Sequence, residues 1–182
     1  ALRATDITQP ALGAIGLGAL GVLAGFGVTA EATAGHSYGE LLALCAAGRL
    51  EAAELHQLSN TRGRLMAGRA GAGDRGAMLA VQTTEAELRR FLEEQQLQLI
   101  IANRNSPSQF VLAGSKAQIE QAAKELEKQS VRARVLPVAA AFHSPLVADA
   151  RDPFAAVLAE VPLLAGRLPV YANSTAALYP AE

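Results

Sequence analysis

The longest apolar stretch of the chain covers residues 11–34, and in its first part, 11–24, apolar side chains fall on nearly every side of a helical wheel. Such a helix has no polar stripe to offer water, so the pattern predicts a buried helix, with Pro10 in its first turn where the missing N–H removes no hydrogen bond. A short buried strand over 32–34 ends at Gly35, and helical spacing resumes after Ser37 through Leu41, Leu42, Leu44 and Cys45 as far as Gly48. A further helix is expected over 51–68, with Leu55, Leu58, Leu65 and Met66 on one face and Arg62 on that same face. Gly71, Gly73, Asp74 and Gly76 then form a glycine-dense junction.

From 77 to 138 the elements shorten: apolar 78–81, a polar helix 84–94, apolar 97–102, apolar 110–113, a helix 116–129 and an alternating segment 131–138. The order β-α-β-β-α-β predicts a ferredoxin-like subdomain over 75–138, with 103–108, including Pro107, joining the two middle strands. The flanking segments, 1–74 and 139–182, carry the rest of the fold, including a helix over 145–161 and a strand over 168–171.

Composition narrows the function classes. With 16 Lys+Arg against 17 Asp+Glu in 182 residues there is no basic field for nucleic acid, and the 51% hydrophobic content supplies a core. A single cysteine, Cys45, argues against a disulfide framework or structural metal and suits a cytoplasmic protein. Residues 11–34 hold six glycines and Glu31 with no basic run before them, so no membrane association is expected.

The chemistry centres on Gly35-His36-Ser37-Tyr38-Gly39, a G-x-S-x-G between a strand and a helix. Glycines on both sides relieve a strained turn, Ser37 is exposed as a nucleophile, and the Tyr38 N–H at the helix start can stabilise an oxyanion. The bland alternative is close helix–strand packing with Ser37 as an N-cap. Of three histidines, His36 adjoins the serine and is expected to point away, and His56 suits a surface; His143, in a loop after a strand, is the best general base. Arg62 on an apolar stripe calls for an anion, either a carboxylate of the same domain or that of a substrate. An α/β-hydrolase or thioesterase shares the serine motif but needs an acid between serine and histidine, where Asp74 is the only aspartate. A non-catalytic interaction module is the third reading.

Six segments, in order, resemble the malonyl-CoA:acyl-carrier-protein acyltransferases and the acyltransferase domains of polyketide synthases: Gln9-Pro10-Ala11-Leu12, Gly35-His36-Ser37-Tyr38-Gly39-Glu40, Arg62-Gly63-Arg64-Leu65-Met66, Asn105-Ser106-Pro107 with Gln109 and Ala113-Gly114, Phe142-His143-Ser144-Pro145-Leu146, and Asn173-Ser174-Thr175. The resemblance implies an α/β-hydrolase-like core with a parallel sheet and the inserted ferredoxin-like subdomain. It implies a Ser37–His143 dyad, Tyr38 as an oxyanion donor, and Arg62 as the ligand of a malonyl carboxylate. Phe142 stands where malonyl-selective members carry phenylalanine, although Ala140 replaces their usual histidine, and Gln9, His36 and Asn105 enter as substrate-binding positions. The implied reaction carries malonyl from malonyl-CoA to the phosphopantetheine of an acyl carrier protein, beside a ketosynthase and other synthase domains in polyketide, antibiotic or fatty-acid biosynthesis, with no cofactor of its own. Tyr38 resembles the iterative enediyne and polyunsaturated-fatty-acid types. Family members begin earlier and end later, so the chain is expected to be part of a domain, lacking the N-terminal glutamine that supplies a second oxyanion N–H.

Overall fold

The computed structural model describes residues 4–68 and 75–180. The elements in order are α1 (Thr5–Gly25), β1 (Thr33–Ala34), α2 (Gly39–Ala46), α3 (Ala52–Ala67), β2 (Ala77–Gln82), α4 (Glu85–Glu94), β3 (Ile100–Ser106), β4 (Gln109–Gly114), α5 (Lys116–Lys128), β5 (Ala133–Val135), a 3₁₀ turn (Pro145–Ala150), α6 (Arg151–Ala159), β6 (Val170–Ala172) and β7 (Ala177–Leu178). This mixed α/β chain forms two compact units, Ala1–Leu65 with Pro153–Glu182, and Met66–Asp152. Residues 139–152 therefore group with the middle unit. Gly71, Gly73 and Asp74 lie outside the described residues.

In the first unit Leu41, Leu50, Leu55, Leu58 and Tyr38 form the core, with Phe154 and Leu158 of α6 against them. β1 pairs in parallel with β6, Thr33 opposite Val170, and β6 pairs antiparallel with β7, a strand too short to show in the sequence pattern. The expectation for α1 is corrected in two ways. It begins at Thr5, with Pro10 inside it; the ring removes one ladder bond, and the helix continues on either side. Nor is it buried all round: only Thr5, Gln9 and Gly13 are buried, while Ile15, Val22 and Phe26 are exposed. Those three buried positions recur every four residues and form one narrow stripe, so apolar composition did not report where contact occurs. A glycine on each helix permits the close approach: a Cβ on Gly13 would meet the Tyr38 hydroxyl at 2.5 Å, and one on Gly63 of α3 would meet backbone of Thr5 and Asp6 at 3.0 Å. The helix is mostly exposed and has a mean hydropathy of 1.6, a length and composition that a membrane-crossing helix shares.

The helix expected over 145–161 is broken. Ser144 caps a 3₁₀ turn through Leu146 N–H at 3.2 Å, and Val147 leaves helical geometry before α6 begins.

The second unit is a four-stranded antiparallel sheet ordered β3-β4-β2-β5, with Leu79 opposite Leu112 and Val81 opposite Phe110. Leu79, Val81, Phe110 and Leu112 face α4 and α5 and pack on Leu88, Phe91, Ile119 and Leu126. The alternate positions Met78, Val111 and Ala113 pack on Ala141 and Phe142 from the other side. Both faces are covered, which is why 78–81 and 110–113 read as unbroken apolar runs. Thr84 and Glu87 form a capping box at the start of α4. Residues 103–106, expected in a connection, instead extend β3 through two register shifts, leaving Pro107 and Ser108 as the link. Arg104 on this extension bonds both Glu85 carboxylate oxygens at 3.0 and 3.1 Å, a polar partner that hydrophobic patterning does not register.

Leu79→Ala is expected to lower the unfolding free energy by ~2–5 kcal/mol, because the cavity opens at a fully buried position. Val135→Ala on the exposed edge should change it by less than ~0.5 kcal/mol. Urea denaturation followed by circular dichroism compares the two.

Candidate active site

The turn between β1 and α2 is held by its own backbone. The Gly39 N–H donates to His36 O at 2.9 Å and the Glu40 N–H to Ser37 O at 3.2 Å. Closing it this tightly puts Ser37 at φ +54°, left-handed backbone that costs a residue with a Cβ ~1–3 kcal/mol. Gly35 is obligatory, since a Cβ there would run into the Gly39 carbonyl and the Glu40 nitrogen. Gly39 is not: a Cβ on it meets open space, so the expectation that both glycines relieve a collision holds only for the first. The Asn173 side-chain amide donates to Gly35 O from the C-terminal segment, and an open cavity of about 470 Å³ lies alongside, lined by Gly35, His36, Tyr171 and Asn173.

Tyr38 is the N-cap of α2, and among the described residues no backbone carbonyl takes its N–H. Its side chain is buried, with the phenol oxygen 2.6 Å from Ser59 Oγ. Burial pushes the phenol above its ordinary pKa, against the opposing effects of the Ser59 bond and Arg62. Arg62, on α3, donates from Nη1 to Gln9 Oε1 at 2.8 Å. Burial lowers the guanidinium pKa, and the fields of Tyr38 and Glu40 raise it. Among the described residues no carboxylate comes within ion-pair distance of Arg62, so the internal salt bridge weighed from sequence is not formed. Its partner is a neutral amide, which satisfies a donor without cancelling the charge. Glu40 instead accepts from the Tyr179 hydroxyl at 3.2 Å.

Gln9, Tyr38 and Arg62 thus converge within the first unit, beside the turn that carries His36 and Ser37. Phe142, His143 and Asn105 belong to the second unit. There His143 is exposed at φ +58°, and the loop carrying it is tied on both sides. The Ala141 N–H donates to Arg75 O at 2.7 Å, and Ser144 Oγ donates to Ala141 O at 2.5 Å. Beyond it, Asp149 receives both terminal nitrogens of Arg75 at 3.3 Å. Gly76, at φ +76°, lets this loop approach the sheet, because a Cβ there would strike Gly114 O, Ala141 and Leu146. Phe142 lies against the Met78 face, and Asn105 is exposed on β3, its Nδ2 3.3 Å from Gln109 Oε1. His56 is exposed, as its polar surroundings implied. Asp74, the acid a hydrolase triad would need, is outside the described residues.

Ser59 and Tyr179 were not singled out from sequence, and Glu40 entered only as the last residue of the serine motif. Ser59 could have been: it sits four residues after Leu55 and three before Arg62, on the apolar face of the helix.

A family model described as the acyl transferase domain matches residues 1–178. A polyketide synthase of Streptomyces halstedii is 36% identical over 181 residues, covering 100% of this chain and 2% of that protein. The malonyl CoA-acyl carrier protein transacylase of Burkholderia pseudomallei superposes with a TM-score of 0.90 at 35% identity, over 98% of this chain and 61% of that one. The acyltransferase domain of an iterative polyketide synthase in enediyne biosynthesis gives a TM-score of 0.87 at 28% identity, over 98% and 47%. The chain spans less than two thirds of the length of each of these relatives.

Gly35→Ala is expected to prevent stable folding of the turn, whereas Gly39→Ala should leave the melting temperature within ~2 °C of the parent, because only the first meets backbone. Thermal melts of both variants provide the comparison.

Proposed function

The chain belongs to the acyl transferase domain family, and on that premise we propose that it takes malonyl from malonyl-CoA onto Ser37 and passes it to the phosphopantetheine thiol of an acyl carrier protein. The observation that carries this reading is Arg62: a partly buried guanidinium whose hydrogen-bond partner among the described residues is a neutral amide, beside a strained serine turn. A charge so placed favours an anionic acyl group, whose carboxylate it can take in a charge-assisted pair.

His143 serves as general base. It accepts the Ser37 proton as Oγ attacks the thioester carbon; the carbon–sulfur bond breaks, and the coenzyme A thiolate leaves with the proton that His143 returns. The carrier thiol then reverses the steps, attacking the malonyl ester and freeing Ser37. The oxyanion of each tetrahedral intermediate rests on the Tyr38 N–H and a second donor. No resident cofactor is required. Phe142 crowds an α-methyl branch and so favours malonyl over methylmalonyl, while Gln9 orients Arg62, and His36 and Asn105 contact the substrate. Tyr38 in this position resembles the iterative enediyne and polyunsaturated-fatty-acid synthases, and on this reading the domain acts in the cytoplasm beside a ketosynthase. The hydrolase and interaction-module readings are not favoured, because the family is one of transferases.

The first unit, Ala1–Leu65 with Pro153–Glu182, is read as part of an α/β-hydrolase-like subdomain, and residues 75–138 within the second as a ferredoxin-like one. The first is supported by a serine turn between a parallel-paired strand and a helix, the second by the antiparallel order β3-β4-β2-β5 with both helices on one face.

In the intact protein, mass spectrometry should find a malonyl adduct on Ser37 that Ser37→Ala abolishes, and His143→Ala should slow acylation ~10²–10⁴-fold. Arg62→Ala should raise the acetyl-to-malonyl loading ratio by about tenfold or more, as removal of a charge-assisted pair implies. An unchanged ratio would remove Arg62 from the role of carboxylate ligand.

A further inference from the structure

Ser59 is a fully buried polar side chain with an unusually constrained environment. Its Oγ lies 2.5 Å from the Leu55 carbonyl and 2.6 Å from the Tyr38 phenol oxygen. A serine hydroxyl carries one proton, and a carbonyl can only accept, so that proton belongs to Leu55. The Tyr38 O–H must then be the donor to Ser59 Oγ. Burial keeps the phenol protonated, which preserves this direction: phenol to hydroxyl to helix carbonyl. Gly13 closes the remaining space, since a Cβ there would lie 2.5 Å from the phenol oxygen and 3.3 Å from Ser59 Oγ.

Tyr38 follows the left-handed Ser37 directly and begins α2, so restraining its side chain restrains the backbone on which the nucleophile and the oxyanion N–H both sit. We propose that Ser59 is a positioning residue for this turn, tying it through the Tyr38 hydroxyl to α3, the helix that also bears Arg62. The tie holds the site of the reacting carbonyl in register with the guanidinium without touching substrate. The inference rests on Ser37 being the nucleophile and the Tyr38 N–H its oxyanion donor.

The test compares Tyr38→Phe, Ser59→Ala and the double variant in the intact protein by three measurements: the rate at which a fluorophosphonate labels Ser37, acylation kinetics with malonyl-CoA, and thermal melting. Each single variant is expected to lower the labelling rate and the maximal acylation rate about tenfold, with KM for malonyl-CoA within about twofold, as a mispositioned nucleophile predicts. The double variant should be no slower than the slower single one. Labelling within twofold of the parent in both single variants, or losses that multiply in the double, would overturn the proposal. If Ser59→Ala fails to fold, Tyr38→Phe decides, since it leaves Ser59 bonded to Leu55; unaltered labelling in that variant overturns the tie. A parent that labels with fluorophosphonate but takes no malonyl removes the substrate reading and leaves the positioning claim to the labelling rates. A parent that does not label removes both.

Discussion

The left-handed backbone at Ser37 is the constraint on which the first unit depends. A residue with a Cβ occupies that conformation only when its surroundings over-determine it, and here they do so at several points. Gly35 allows the chain to double back against the Gly39 carbonyl, the Gly39 and Glu40 N–H groups donate to the His36 and Ser37 carbonyls, and Asn173 holds the Gly35 carbonyl from outside. The strand that enters the turn is fixed by parallel pairing with β6, and the helix that leaves it is fixed by Leu41 and Tyr38 in the core. The strain is therefore borne by packing on both sides.

Electrostatics adds a second constraint. A partly desolvated guanidinium is stabilised most simply by a carboxylate, yet Arg62 has the Gln9 amide at 2.8 Å while the nearby Glu40 is engaged by Tyr179. The result is a positive charge whose orientation is set by a neutral amide, which satisfies a donor without cancelling the charge. The buried Tyr38 and Ser59 hydroxyls are satisfied by one another and by the Leu55 carbonyl.

The second unit solves a different problem, the placement of an exposed histidine on a loop. Its sheet buries one face under α4 and α5 and the other under Ala141 and Phe142, so the residues just before His143 are anchored by apolar contact. Arg75 binds on either side of His143, by its carbonyl at Ala141 and its guanidinium at Asp149, and Gly76 supplies the space in which the loop lies. His143 thus projects from a braced segment despite its exposure.

Much of this was legible in the chain. Period-two and unbroken apolar runs located β2 and β4, period 3.6 located α3, α4 and α5, and the glycine-flanked G-H-S-Y-G-E segment located the turn between β1 and α2, because local stereochemistry and residue spacing are themselves properties of sequence. Local patterning could not say which side of α1 meets its neighbours, because an apolar surface records affinity for any apolar partner and not its identity; contact is confined to the Thr5, Gln9 and Gly13 stripe. Nor could it say that Gly39 is dispensable in space while Gly35 is not, that 103–106 join a strand, or that Arg62 meets an amide and Tyr38 a serine. Each of these depends on which atoms distant in sequence come within a few ångströms, and only the tertiary structure decides that.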